Sequence, residues 1–137
     1  MSKHLKLLFS TLLIGVLAIG VTCTASLAAE KKKPVKQDPA LFISLEEVEA
    51  LVAKGPEEGK YQLIDARPEI KFNAGNIPTS INIPKPMLSQ SLDKLSKDKM
   101  LIFYCGGIAC KLSPKSAEVA MKNGFTNVKV FYDGMPA

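Results

Sequence analysis

The sequence contains a single histidine, His4, and only three cysteines, Cys23, Cys105 and Cys110. His4 falls in a positive stretch with Lys3 and Lys6, ahead of an apolar run from Leu7 to Val21 and a small-residue segment ending Ser26-Leu27-Ala28. That order is the pattern of an export signal, and cleavage after Ala28 is expected. Once residues 1–28 are removed, the domain holds no histidine. Ser-His-Asp and Cys-His catalysis are thereby excluded, and two cysteines without histidine are too few soft ligands for a zinc site. Neither a metal nor any other cofactor is expected. The competing reading of the N-terminus is an uncleaved anchor, because Leu7 to Ala29 is long enough to span a bilayer. Thr22, Thr24 and Ser26 weaken the second half of such a span. The protein is therefore expected in the periplasm or outside the cell, with a membrane-anchored form facing the same side as the alternative. Cys23 follows Gly20-Val21-Thr22, a poor context for lipidation.

A strong charge of one sign is also missing. The chain has 18 basic and 13 acidic residues, a net charge of +5. Lys3 and Lys6 leave with the signal, so 16 basic residues remain against 13 acidic ones, a net of +3. No stripe of basic and aromatic residues runs through the sequence, and nucleic acid is not an expected partner. No internal repeat is present. The balance of 47% hydrophobic and 23% charged residues is that of a globular chain rather than a disordered one. Residues 29–40, charged and carrying two prolines, read as a flexible tether, and residues 41–137 as one folded domain.

Within that domain, Ser44-Leu45-Glu46-Glu47 is a capping box. Leu45, Val48, Leu51 and Val52 follow at helical spacing until Gly55. Tyr61 to Ala66 reads as a strand, Glu69 to Asn73 as a short helical turn, and Ile81 to Ile83 as a short strand closed by Pro84. Leu88, Leu92 and Leu95 suggest another helix. Met100 to Tyr104 is a continuous apolar run, as in a strand buried on both faces. Ser113 and Pro114 are placed to start a helix as N-cap and first residue, with Gly124 after its end, and Val128 to Phe131 forms a last strand. Alternating strands and helices predict an α/β fold, a parallel sheet with helices on both faces. In such sheets sites form where strands end and helices begin.

The junction after Tyr104 reads Cys105-Gly106-Gly107-Ile108-Ala109-Cys110. Backbone amides of a tight loop ahead of a helix can hold an anion, and the same field favours the thiolate, the nucleophilic form of cysteine. Gly106 and Gly107 permit the backbone angles such a loop needs. Lys111 adds a positive charge nearby, although a lysine there is commonly a solvated helix-end residue. Cys105 and Cys110 could instead form a structural disulfide, which would remove little chain entropy from so short a loop.

This loop resembles the active-site loop of the rhodanese superfamily. Leu63-Ile64-Asp65-Ala66-Arg67 is similar to the family's L-I-D-x-R segment, and Gly75 to Pro84 to its G-H-I-P-G-A-x-N-I-P segment. Gly124-Phe125-Thr126-Asn127-Val128 and Asp133 to Ala137 are similar to its C-terminal G-F-x-x-V and G-G-x-x-A-W segments. The motifs fall in order across residues 41–137. Asn76, Thr79-Ser80 and Asp133 depart from the family pattern, and the chain ends at Ala137 sooner than similar domains, so a shortened domain is expected.

The resemblance implies a single rhodanese-like domain acting as a sulfurtransferase. Cys105 would be the catalytic nucleophile, taking sulfane sulfur as a persulfide from thiosulfate or another small donor. It would pass that sulfur to a thiol, cyanide or an acceptor protein. Gly106, Gly107, Ile108, Ala109 and Cys110 would form the anion cradle, with Cys110 a candidate resolving thiol and Lys111 a candidate electrostatic contributor. Sulfite is a stable leaving group, so no general acid is needed. Asp65 and Arg67 are expected to be a strand-end ion pair, and Asn82 a turn residue able to bond backbone. The alternative of another class is a non-enzymatic sulfur carrier, redox sensor or binding module. It is supported by the loop's lack of charged side chains, since family members active on thiosulfate often have them. A phosphatase or arsenate reductase, with its C-x5-R loop, would have Lys111 where arginine is required, and lysine cannot supply the bidentate clamp.

Overall fold

Helix α1 (Leu45–Lys54) begins as its capping box predicts. In a computed structural model describing residues 38–135, the Glu47 amide donates to Ser44 Oγ at 3.2 Å. The Ser44 amide in turn donates to the Glu47 carboxylate at 2.9 Å. Two amides that a helix start would leave unpaired are satisfied reciprocally. The helix stops at Gly55, whose φ of +84° a side chain would strain. The expected signal, residues 1–28, and residues 29–37 of the expected tether lie outside the described residues, as do Pro136 and Ala137.

Strands β1 (Tyr61–Asp65), β2 (Ile81–Asn82), β3 (Met100–Tyr104) and β4 (Val128–Phe131) form one parallel sheet in the order β2-β1-β3-β4. β3 is central, and Leu101, Ile102, Phe103 and Tyr104 are all fully buried, as the unbroken apolar run predicts. Successive side chains enter opposite layers. Leu101, Phe103, Ile64, Val128 and Val130 pack with Ala117 and Ala120 of α3 (Leu112–Lys122) and with Leu88. Ile102, Tyr104, Tyr61, Leu63 and Phe131 pack with Val48 of α1 and with Ile43. Helices therefore cover both faces, and this alternation fixes which way each residue at the end of β3 points. Helix α2 (Glu69–Ala74) follows β1.

Three local expectations differ from what forms. Leu88, Leu92 and Leu95 do not share one α-helix: Lys85–Gln90 and Leu92–Lys94 are separate 3-10 helices. Ser91 adopts a non-helical conformation between them. Asp38 to Ala40, expected within the tether, are already tied to the domain: the Asp38 amide donates to the Tyr132 hydroxyl at 3.0 Å. Finally, α3 starts at Leu112 with Lys111 in the cap position and no side-chain cap. Ser113 and Pro114 are thus the second and third helical residues rather than N-cap and first. Proline is tolerated there because amides of the first turn have no intrahelical acceptor.

Candidate active site

Asp65 of β1 and Tyr104 of β3 are register partners, so the carboxyl ends of the two central strands lie side by side. Beyond Asp65 the chain is anchored by a buried ion pair. The Asp65 carboxylate accepts from Arg67 Nε at 3.0 Å and from Nη2 at 2.6 Å, and Nη2 also donates to the Gly75 carbonyl at 2.7 Å. These hydrogen bonds hold the guanidinium above its already high ordinary range, so its charge is permanent. Asn82 Nδ2 donates to the carbonyls of Asp65 and Arg67 at 3.0 and 2.9 Å. The expected ion pair is present, and Asn82 fastens β2 to the turn after β1.

Tyr104 points to the α1 side, where its hydroxyl accepts from the Ile77 amide at 3.2 Å and pairs with Ser80 Oγ at 2.9 Å. Burial pushes that hydroxyl up to about 12, so it stays protonated near neutral pH. Cys105, the next residue, points to the α3 side. Its residue exposure is 1%, and its Sγ lies 3.1 Å from Ser113 Oγ. Ser113 is fully buried. Its side chain is directed to the cysteine instead of to the helix amides, which is why it does not cap α3.

From Cys105 the chain runs over the surface. Gly106, Ile108 and Ala109 are exposed, Gly107 and Cys110 are partly buried, and Lys111 is exposed at the start of α3. Among the described residues, none accepts a hydrogen bond from the amides of Gly106, Gly107, Ile108 or Ala109. Cys110 differs: its amide donates to the Gly107 carbonyl at 2.8 Å, closing a turn. Of the amides expected in the cradle, the four before Cys110 thus have no partner among the described residues, whereas that of Cys110 is taken. The turn brings the loop's ends together, and the Sγ atoms of Cys105 and Cys110 are joined as a disulfide across a Cα–Cα separation of 6.3 Å. Three states of the loop were weighed from sequence, a structural disulfide, a free Cys105 nucleophile and a Cys105 resolved by Cys110, and the form present is the bridged one. Among the described residues no cluster of histidine, cysteine and carboxylate side chains is arranged to hold a metal ion.

Support for the loop comes from a segment with no local signal of that role. The Met135 amide donates to the Cys105 carbonyl at 2.8 Å. Gly134, at φ +58°, lies so close to the loop that an added Cβ would meet the Cys105 carbonyl oxygen and, at 2.8 Å, the Gly107 nitrogen. Ser113, Gly134 and Met135 are the residues of the site that sequence reasoning did not assign to it. Serine and glycine at a strand exit or turn have commoner uses.

The Ser113 hydroxyl is positioned to donate to an ionised Cys105 when the disulfide is open. Such a bond contributes about 1.5–3 kcal/mol. Ser113→Ala is thus expected to slow alkylation of reduced Cys105 by iodoacetamide near neutral pH several-fold, because less of the thiol is ionised and nucleophilicity recovers only part of that loss. An unchanged rate would mean that Ser113 only packs.

Comparison with known proteins bears on the family and the fold. Residues 46–137 match the family described as Rhodanese-like domain. The HTH-type transcriptional regulator Rv0324 of Mycobacterium tuberculosis is 38% identical over 79 residues, 58% of this chain and 34% of that protein. The uncharacterized protein YqhL of Bacillus subtilis is 35% identical over 69 residues, 50% of this chain and 53% of that protein. The match thus spans about a third and about half of these two curated relatives. Among solved structures, the human single domain sulfurtransferase TSTD1 superposes with a TM-score of 0.55 at 26% identity, over 69% of this chain and 90% of that chain. The BH2092 protein of Bacillus halodurans gives a TM-score of 0.63 at 30% identity, over 68% and 66% of the two chains.

Proposed function

The chain belongs to the rhodanese-like domain family, and from that premise we propose that it is a sulfurtransferase in which Cys105, once reduced, carries sulfane sulfur as a persulfide. The observation that carries this reading is the position of Cys105. It sits at the carboxyl end of a central parallel strand, beside the Ser113 hydroxyl and at the start of a loop with four amides unpaired among the described residues. In the proposed reaction the Cys105 thiolate attacks the outer sulfur of a donor such as thiosulfate. The donor's S–S bond breaks, sulfite leaves with the electron pair, and the anionic outer sulfur on Cys105 is held by the amides of Gly106 to Ala109. A thiol or cyanide then takes that sulfur. The likeness to a protein named as a single domain sulfurtransferase, nearly all of whose chain is covered, supports the same activity.

The test is formation of thiocyanate from thiosulfate and cyanide, or of sulfide with a thiol acceptor, by protein reduced beforehand and compared with protein left oxidised. Activity that appears only after reduction supports the proposal. A reduced, folded protein that turns over no donor would favour the second reading, a non-enzymatic sulfur carrier or redox-sensing module. Two observations favour that reading. Residues 106–110 carry no charged side chain to attract an anionic donor, and one relative is named as a transcriptional regulator.

A further inference from the structure

We propose that Cys110 resolves the persulfide on Cys105, so that the domain reduces sulfane sulfur to sulfide and closes its own loop as a disulfide. This rests on the persulfide chemistry proposed above and names the thiol that discharges it. The two cysteines begin and end the loop, and their Cα atoms, 6.3 Å apart, fall in the 4.4–6.8 Å range that lets a disulfide form without backbone movement. The hydrogen bond from the Cys110 amide to the Gly107 carbonyl closes a turn in the chain between them. Burial separates the partners: Cys105 is 1% exposed whereas Cys110 is partly open to solvent. Cys110 is already in bonding reach of Cys105 Sγ, whereas an external acceptor must first diffuse to the outer sulfur. Well-oriented groups in one molecule can react as though present at up to on the order of 10⁵ M, so the internal thiol discharges the persulfide wherever no external acceptor is supplied in excess.

The step balances without an added oxidant. The Cys110 sulfur attacks Cys105 Sγ, and the bond from Sγ to the outer sulfur breaks. That outer sulfur leaves with the electron pair and takes the Cys110 proton as hydrosulfide. The two cysteine sulfurs are oxidised to the disulfide, and the sulfane sulfur is reduced to sulfide. The bridged loop is the product of this step. A dithiol reductant must reopen it, attacking the more accessible Cys110 through a mixed disulfide, before another turnover. The full cycle consumes one sulfane sulfur and one dithiol, and releases sulfide and the dithiol's disulfide.

The experiment uses the full-length chain, reduced and then freed of reductant, mixed in separate trials with thiosulfate and with glutathione persulfide and no other thiol. The wild type is expected to release about one sulfide per chain and to bridge Cys105 to Cys110, read by peptide mapping. Cys110→Ser is expected to release none, to hold the added sulfur on Cys105, and to yield sulfide only when a dithiol is supplied. If both proteins hold the sulfur on Cys105 with equal lifetimes, the internal step is overturned and the persulfide reading stands. If neither protein accepts sulfur from either donor, the persulfide reading itself falls and takes this step with it.

Discussion

Cys105→Ser is expected to abolish sulfur transfer while leaving the domain folded. A serine hydroxyl stays protonated near neutral pH and cannot hold a second sulfur. Cys110 is the other cysteine among the described residues; its Sγ meets Cys105 but is without the Ser113 hydroxyl bond that Cys105 has. The fold should survive because Ser differs from Cys by one atom, and the new hydroxyl keeps a partner in Ser113, 3.1 Å from the present sulfur. Strand β3 and the Met135 bond to the Cys105 carbonyl also do not depend on the side chain. Measured with both proteins reduced, the cost should be about 1 kcal/mol or less. Oxidised wild type gains its loop bridge in addition, so a comparison under oxidising conditions would overstate the loss. Retained transfer in a folded Cys105→Ser protein would remove Cys105 from the chemistry.

Gly134→Ala should have the largest effect on stability of any single methyl added near the site. The φ of +58° is one that side chains rarely adopt, and the new Cβ would be driven into the Cys105 carbonyl and the Gly107 nitrogen. Both obstacles are backbone, and neither can swing aside like the end of a side chain. Left-handed strain and overpacking each cost about 1–3 kcal/mol, so a loss of about 2–4 kcal/mol is expected. For a domain of this size that is a fall in Tm of roughly 10 °C or more. Sulfur transfer should fall with it, because the loop must shift to accept the methyl group. Gly106→Ala provides the control: a Cβ there meets nothing within 4 Å, and its Tm should stay close to that of the wild type. A Gly134→Ala protein with unchanged Tm and activity would show that the C-terminal segment does not support the loop.

The parts of this molecule that could be read from the sequence are those governed by neighbours in the chain. The capping box at Ser44 and Glu47, the stop at Gly55 and the buried run of β3 each carry their reason within a few residues. The alternation that sends Tyr104 to one layer and Cys105 to the other follows from strand geometry alone. What was misread depends on contacts made at a distance. Ser113 looks like a helix cap until Cys105, eight residues earlier, is seen to hold its hydroxyl. Gly134 lies in a stretch matched only as a family motif, and its role shows once the loop folds against it. Asp38 belongs to a charged stretch until Tyr132, 94 residues away, bonds its amide. Leucines spaced for one helix are divided at Ser91, which leaves the helical conformation between Leu88 and Leu92. The disulfide lay between these cases, since residue spacing permitted it and only the turn at Gly107 brings its ends together.

The central claim is that Cys105 carries sulfur, and intact-protein mass spectrometry of reduced Cys110→Ser after exposure to thiosulfate or glutathione persulfide tests it most directly. The variant cannot discharge the adduct internally, so the sulfur should remain for detection. The account predicts a gain of about 32 Da, one sulfur atom, located by fragmentation on Cys105 and reversed by cyanide or a dithiol. A protein that stays at its starting mass with both donors, or that gains sulfur anywhere but Cys105, would contradict it.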